Sequence, residues 1–213
     1  MNFYIISPPL NNSNFTTENL EKVCDILSVN FFQFRPKHKL LKNRLKFVEK
    51  YYEEVSKLCK KKNIKLIINN DFEIAERFNF DGIHLGQNDK SCLDAKIKFG
   101  KKFIVGVSCS NSLQLYEYAK SQNADYVALG PMFKTSSKNK KEIDLLKLPV
   151  LIKKLRLPFT LIGGINHCNF KKLLKFKPYN LAMINSFWKY KKGPVKSALL
   201  FKNTIKEINN NEN

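Results

Sequence analysis

The sequence predicts a single-domain (β/α)8 TIM barrel, an α/β fold in which eight parallel strands alternate with helices. Two observations predict it. Short runs of β-branched and aromatic residues recur along the chain, and segments with helical spacing separate them. The chain of 213 residues lies near the lower size limit for this fold. A doubly wound open sheet is the alternative, although such a sheet more usually has five or six strands.

Each predicted strand is almost continuously apolar, which is typical of strands buried on both faces of a parallel sheet. In chain order the predicted strands are 3–7, 31–35, 65–69, 82–85, 103–107, 126–129, 159–162 and 181–184. Because the carboxyl ends of barrel strands meet at one rim, we expect polar residues that follow these strands to lie close together.

The clearest predicted helix has apolar residues at steps of three and four, namely Leu41, Leu45, Val48, Tyr52, Val55 and Cys59. The same spacing recurs in 198–208. Thr17 is expected to cap the first helix, and Pro149 suits the first turn of a later one. We predict one domain, 1–208, followed by a disordered tail, 209–213.

The formal net charge of +20 raises the question of a nucleic-acid partner. Only four of the 38 basic residues are arginines, and base recognition favours the planar guanidinium group over the solvated lysine ammonium. We therefore interpret the charge as a solvated lysine surface and predict no nucleic-acid partner. A positive field would still attract small anionic substrates.

The remaining composition predicts a cytoplasmic globular protein. An apolar content of 43% argues against intrinsic disorder, and no apolar run reaches the roughly 20 residues of a membrane helix. No secretory signal is visible at the N-terminus. Five scattered cysteines fit a reducing compartment better than a disulfide framework or a zinc site.

Cationic and amide side chains follow the second predicted strand. Gln33, Arg35 and Lys37 alternate with two other residues, so they share one face. Two cations in a barrel mouth need an anionic partner, because unpaired buried charge is costly. We predict an anion site there; an internal salt bridge at the rim is the alternative.

Oxygen-bearing side chains follow the next two predicted strands. Asn69, Asn70 and Asp71 come after one strand, and Asp89 follows the other. Loop oxygens are the ligands that Mg²⁺ uses, together with waters and substrate phosphates. A magnesium site and a set of merely polar loops are both compatible with this pattern.

A second anion site is predicted after the last strands. Gly163 and Gly164 end the seventh strand, where backbone N–H groups can approach a phosphate closely. Ser108 ends the fifth strand, and the loop 130–138 supplies hydroxyls and a lysine. His84 is interpreted as a hydrogen-bonded core histidine, and the three histidines form neither a nucleophile triad nor a zinc cluster.

Seven motifs in this order resemble the thiamine-phosphate synthase family, in the superfamily that it shares with thiazole tautomerase. The resemblance spans nearly the whole chain. Its motifs are QFRPK (33–37), LIINN (66–70), DGIHLGQND (81–89), GVS (106–108), ADYVALGP (124–131), TSSK (135–138) and IGGI (162–165). It implies a TIM barrel that joins a hydroxymethylpyrimidine diphosphate to a thiazole phosphate, giving thiamine phosphate and pyrophosphate.

The resemblance also implies residue roles. The pyrimidine diphosphate would be held by Gln33, Arg35, Lys37 and Asn69. The thiazole phosphate would be held by Thr135, Ser137, Gly164, Ile184, Asn185 and Ser186. Catalytic roles would fall to Lys138, Ser108 and Arg35, and Mg²⁺ would bind Asp89 and Asn70.

Three positions depart from the family pattern. Asn70 stands where the family has a second magnesium aspartate, which removes one charge; a shifted register would bring in Asp71 instead. Pro36 stiffens the loop between Arg35 and Lys37. Asn185 replaces a small serine near the end of the eighth strand.

Two other functions compete with the synthase. The tautomerase branch uses a histidine shortly after its fifth strand, whereas 108–111 contains none, and Gln33, Asn69 and Lys138 of the pyrimidine site are kept. A lysine-rich RNA-binding protein on a barrel scaffold would bind RNA with a steep salt dependence. The oligomeric state stays open, and a homo-oligomer is compatible with the sequence.

Overall fold

Eight parallel strands form one closed barrel in the computed structural model, which describes residues 1–135 and 141–211. The strands are β1 (Asn2–Ile6), β2 (Val29–Phe34), β3 (Lys65–Asn69), β4 (Gly82–Leu85), β5 (Ile104–Ser110), β6 (Tyr126–Leu129), β7 (Phe159–Ile162) and β8 (Asn180–Met183). Because β1 pairs with both β2 and β8, the sheet has no free edge. The predicted barrel is confirmed, and the open-sheet alternative is wrong.

Helices follow the strands and cover the outside of the barrel. They are α1 (Thr17–Ile26), α2 (Leu41–Lys61), α3 (Phe72–Arg77), α4 (Cys92–Phe99), α5 (Leu113–Ser121), α6 (Leu148–Ile152), α7 (Lys171–Leu174), α8 (Asn185–Trp188) and α9 (Gly193–Asn211). In α6 proline stands in the first turn, as predicted for Pro149. None of the described helices is both long and apolar enough to span a bilayer.

One local prediction is wrong. Thr16, not Thr17, caps α1, because its extended backbone lets its hydroxyl accept the Asn19 N–H at 3.1 Å. Helix α9 extends to Asn211, and the disorder expected for the tail 209–213 stays a prediction. The last two residues of that predicted tail lie outside the described ranges.

Two separate apolar cores hold the barrel together. The larger one lies between the strands and the surrounding helices. The smaller one fills the inside of the barrel and contains Tyr4, Ile6, Phe31, Ile67, Tyr126 and Ala182. The small core closes the lower part of the barrel, so the space at the carboxyl ends of the strands remains open as a mouth.

Candidate active site

A cavity of about 920 Å³ opens at the carboxyl ends of the strands. Twelve of the predicted site residues line it: Gln33, Arg35, Lys37, Asn69, Asn70, Asp89, Ser108, Thr135, Gly164, Ile184, Asn185 and Ser186. Ser137 and Lys138, the remaining two, lie outside the described residues. The structure therefore gathers residues that are up to 153 positions apart (186 − 33) around one space, while their roles stay predictions.

Arg35 is a cation without a matching anion. It follows β2 directly, and its backbone N–H donates to Ser7 Oγ at 2.8 Å, which fixes the turn into the mouth. Burial lowers the pKa of its guanidinium, and within 1–135 and 141–211 no carboxylate pairs with it. The salt-bridge alternative is therefore wrong for Arg35. A half-buried cation that faces a cavity is suited to an anionic ligand.

Asn70 and Asp89 approach each other at the rim beside β3 and β4. A Cβ atom placed on Gly86 would lie 2.8 Å from Asp89 Oδ2 and 3.9 Å from Asn70 Nδ2, so both side chains border one small region. The Gly86 N–H donates to Asp89 Oδ2 at 2.5 Å. Asn70 has a φ of 64°, a backbone region that asparagine tolerates better than most residues.

Asp71 is engaged by other partners, which argues against the shifted-register alternative. As the N-cap of α3 its side chain accepts the Ile74 N–H at 3.3 Å, and it also accepts from Arg44 Nε at 2.5 Å. The Asp71 side chain is only 9% exposed. Both acceptor oxygens are thus committed to holding the loop, and among the described residues Asp89 is the carboxylate that lines the cavity.

The donor set at the rim is small. Across the described ranges, no group of three or more histidine, cysteine, aspartate or glutamate residues is arranged to hold a metal ion. One carboxylate and one amide oxygen suit Mg²⁺, which keeps several waters and takes further ligands from substrate phosphates. The residues present therefore fit a magnesium ion that is bound jointly with a phosphorylated substrate.

Two glycines shape the opposite side of the mouth. Gly163 and Gly164 have φ values of 103° and 65°. A Cβ atom on Gly164 would lie 2.4 Å from the Lys134 carbonyl oxygen, so no other residue fits without moving the backbone. Asn169 Nδ2 donates to the Gly164 carbonyl at 2.9 Å and holds the turn. The turn lines the cavity, and its role in holding a phosphate stays a prediction.

Lys189 and two tyrosines near the mouth were not predicted from the sequence, whereas Lys134 belongs to the predicted loop 130–138. Lys134 and Lys189 line the cavity and add positive charge near the glycine turn. Tyr4 also lines it, and Tyr126 lies buried beneath it. The period of two along β1 and β6 was the available signal, since it points both tyrosines into the barrel.

His84 is hydrogen-bonded at both ring nitrogens, which confirms its interpretation as a hydrogen-bonded core histidine. Nδ1 lies 3.0 Å from the Tyr126 hydroxyl, and Nε2 lies 2.9 Å from Ser108 Oγ. The Tyr126 hydroxyl is also 2.9 Å from the Tyr4 hydroxyl, and Gln33 Nε2 donates to Tyr4 at 2.5 Å. Burial raises the pKa of both tyrosines, so both hydroxyl groups keep their protons at neutral pH.

Known proteins with similar sequences include several thiamine-phosphate synthases. A family model described as thiamine monophosphate synthase matches residues 3–187. A thiamine-phosphate synthase from Pelagibacter ubique is 38% identical over 191 residues, covering 89% of each chain. A thiamine-phosphate synthase from Lactococcus lactis subsp. cremoris is 33% identical over 175 residues, covering 79% of this chain and 78% of its own.

A similar fold occurs in a solved structure. The thiamine phosphate pyrophosphorylase from Pyrococcus furiosus superposes with a TM-score of 0.79 over 97% of this chain and 96% of its own, at 21% identity. At that identity the likeness concerns the fold, and it agrees with the closed barrel described above.

Proposed function

The chain belongs to the thiamine monophosphate synthase family, and from this premise we propose how its cavity joins two substrates to give thiamine phosphate. The enzyme condenses 4-amino-2-methyl-5-hydroxymethylpyrimidine diphosphate with a thiazole phosphate and releases pyrophosphate. The thiazole substrate is hydroxyethylthiazole phosphate or its carboxylated form, and the carboxylated form would also release its carboxyl group as CO2. Both substrates are small anions, which suits a chain with a net charge of +20.

The observation that carries the proposal is the unmatched guanidinium of Arg35. Its charge is half-buried beside the cavity, and a diphosphate would supply the anion it lacks. Gln33, Lys37 and Asn69 border the same space, and we assign the pyrimidine diphosphate to this side. The glycine turn, with Thr135, Ile184, Asn185 and Ser186, is assigned to the thiazole phosphate; Ser137 joins this group by family resemblance alone.

The proposed reaction requires little proton transfer from the protein's side chains. The bond between the pyrimidine methylene carbon and the diphosphate oxygen breaks, and its electron pair leaves with diphosphate. The electron-rich aminopyrimidine stabilises the resulting cation, which the thiazole nitrogen then captures. Arg35, Lys37 and Lys138 would neutralise the departing charge, and Ser108 would donate a hydrogen bond near the reacting end.

Magnesium completes the proposed leaving-group site. Asp89 and Asn70 would hold it, and when bound it would neutralise charge on the diphosphate oxygens. Asn69 Nδ2 donates to Asn70 Oδ1 at 2.7 Å, and Asn70 Nδ2 borders the region that holds Asp89 Oδ2, so the Asn70 amide would turn over to offer its oxygen to the metal. The chain's own contribution is thus a rim that places the Asp89 carboxylate beside the Asn70 amide and a cavity that would align the two substrates.

The direct test mixes the purified protein with both phosphorylated substrates and Mg²⁺ and measures pyrophosphate and thiamine phosphate. We expect the two products in equal amounts. Turnover of the thiazole carboxylate phosphate alone, with no pyrophosphate, would support the tautomerase instead. RNA binding that falls steeply with salt, without either product, would support the RNA-binding alternative.

The cellular setting is a proposal of the same kind. Every cysteine that the structure describes is a free thiol, which supports a reducing, cytoplasmic location. The proposed partners are phosphorylated small molecules, with no nucleic acid and no membrane.

Asn70→Asp is expected to tighten Mg²⁺ binding about tenfold, because it adds a carboxylate next to Asp89. The substituted oxygen keeps the hydrogen bond from Asn69, and aspartate tolerates the backbone conformation. Without metal, repulsion between the two carboxylates should lower the melting temperature. Calorimetric titration with Mg²⁺ and thermal unfolding with and without Mg²⁺ measure both effects.

Asn166→Asp is the matched control for this prediction. Asn166 lines the cavity after β7, across the barrel from β3, and its Oδ1 accepts the Cys168 N–H at 2.9 Å, a bond that aspartate retains. This variant adds the same charge to the mouth away from the rim cluster. Equal gains in Mg²⁺ affinity in both variants would show that Asn70 is no ligand.

A further inference from the structure

Five polar side chains form one continuous hydrogen-bond chain across the inside of the barrel. In order they are Gln33, Tyr4, Tyr126, His84 and Ser108, and they come from five different strands. The four links measure 2.5, 2.9, 3.0 and 2.9 Å. Gln33 and Ser108, the two ends, both line the cavity, whereas Tyr126 in the middle is fully enclosed.

The direction of this chain is set at its Gln33 end. Gln33 Nε2 donates to the Tyr4 hydroxyl, so the single Tyr4 proton is left for Tyr126. Tyr126 in turn donates to His84 Nδ1. A neutral imidazole that accepts at Nδ1 carries its proton on Nε2, and this proton goes to Ser108 Oγ.

The same five groups have one other consistent arrangement. If the Gln33 amide turns over, its oxygen accepts from Tyr4, and every hydroxyl proton along the chain reverses. His84 then carries its proton on Nδ1 and accepts from Ser108 at Nε2. In the first arrangement the Ser108 hydroxyl is free to donate its proton to a ligand, and the Gln33 side-chain oxygen is free to accept a hydrogen bond from the ligand. In the second arrangement the Ser108 oxygen accepts a hydrogen bond from the ligand, and the Gln33 side-chain N–H donates one to it.

We propose that this chain is a relay in which Tyr4, Tyr126 and His84, as positioning residues, make the hydrogen-bonding character of Ser108 depend on that of Gln33. The proposal rests on the proposed function for its ligand. The 4-amino group of the pyrimidine is a donor that selects the Gln33 oxygen. Ser108 is then held as a donor towards the phosphate end of the same substrate.

Packing around the Tyr126 ring holds the middle of the relay in place. A Cβ atom on Gly106 would lie 2.0 Å from Tyr126 Cζ, so the tyrosine ring crosses β5 where the strand has no side chain. The Phe31 ring stacks on Tyr126 at a centroid distance of 5.3 Å. The ring therefore has one position, which places its hydroxyl between Tyr4 and His84.

The tautomer of His84 tests the relay without any substrate. In protein labelled with ¹⁵N-histidine, long-range ¹H–¹⁵N spectra distinguish Nδ1–H from Nε2–H, and His84→Gln identifies the signals. We expect Nε2–H in the wild type. Once ionised, the carboxylate that Gln33→Glu introduces has only acceptor oxygens, so it should reverse the hydrogen-bond chain and give Nδ1–H.

Asn166→Asp controls for the added charge and should leave the tautomer unchanged. A Gln33→Glu protein that keeps Nε2–H, or a wild type that already carries Nδ1–H, would overturn the relay. Neither result depends on catalysis, so failure of the relay and failure of the proposed function are distinguishable.

Tyr126→Phe gives an independent measurement if Gln33→Glu does not fold. This change removes the central hydroxyl but keeps the ring. We compare kcat/KM for the amino substrate with kcat/KM for an analogue that carries an oxo group instead of the 4-amino group. The ratio of the two values should fall about tenfold, because the orientation of the Ser108 hydroxyl no longer depends on that of the Gln33 amide. An unchanged ratio would overturn the relay, even if both rates fell together.

Discussion

Replacing Arg35 with alanine is expected to lower kcat/KM by a factor of about 10² to 10³, the usual effect of removing one donor from a developing anion. The guanidinium has no anionic partner among the described residues, so in the resting protein its charge is uncompensated. Diphosphate gains charge as its bond breaks, so we expect both kcat and KM to change. Steady-state kinetics with the pyrimidine diphosphate as the varied substrate measures both constants.

The same substitution should leave stability unchanged or slightly higher. Removing a half-buried charge that pairs with nothing relieves a desolvation cost rather than breaking an ion pair. Arg77→Ala removes an exposed arginine from α3 and controls for the loss of one charge. Arg35→Lys separates charge from shape, because lysine keeps the charge but loses the planar fork. Wild-type kinetics in Arg35→Ala would contradict the assignment of the diphosphate.

Introducing a methyl group at Gly106 is expected to destabilise the fold by about 2–3 kcal/mol, the upper range for overpacking a core. The new Cβ would lie 2.0 Å from Cζ and 2.4 Å from the hydroxyl oxygen of Tyr126. This ring is enclosed by Phe31 and Tyr4 and has no free space to enter. Urea unfolding gives the loss of stability, and the ¹⁵N spectra report whether the His84 contact survives.

Coupling between the two positions distinguishes this clash from a general strand defect. In Gly106→Ala/Tyr126→Leu the ring is gone, so the added methyl group should cost much less than it does beside tyrosine. The two single changes would then sum to more than the double change. Simple additivity would show that Gly106 is required for a reason other than the Tyr126 ring.

The strands were the most predictable part of the fold. All eight predicted strands are present, because a run of apolar β-branched residues has few alternatives in a short segment. Helix faces were predicted less well: the stripe through Tyr52 omitted Phe47, Tyr51 and Leu58, which are buried in α2. A helix between a sheet and its neighbours buries a wide face, whereas a strict alternation of three and four describes a narrow one.

The rim of the candidate site was predictable because parallel strands end together. The order of the strands along the sequence was enough to predict that Gln33, Asp89 and Gly164 lie at one mouth. The hydrogen-bond chain from Tyr4 to His84 was not predictable in this way. Which inward side chains meet inside a barrel depends on strand stagger and tilt, and the sequence does not state them. The ion pair of Asp71 was likewise not predictable, because its partner Arg44 is 27 residues away in sequence.

The two separate cores have different roles, one in stability and one in shaping the cavity. Folding energy comes mostly from the layer between strands and helices, where most of the large apolar side chains lie. The small inner cluster shapes the floor on which a ligand would rest. An engineer who wished to admit a different heteroaromatic ring would therefore redesign a handful of inward-facing positions and leave the outer shell to carry thermal tolerance.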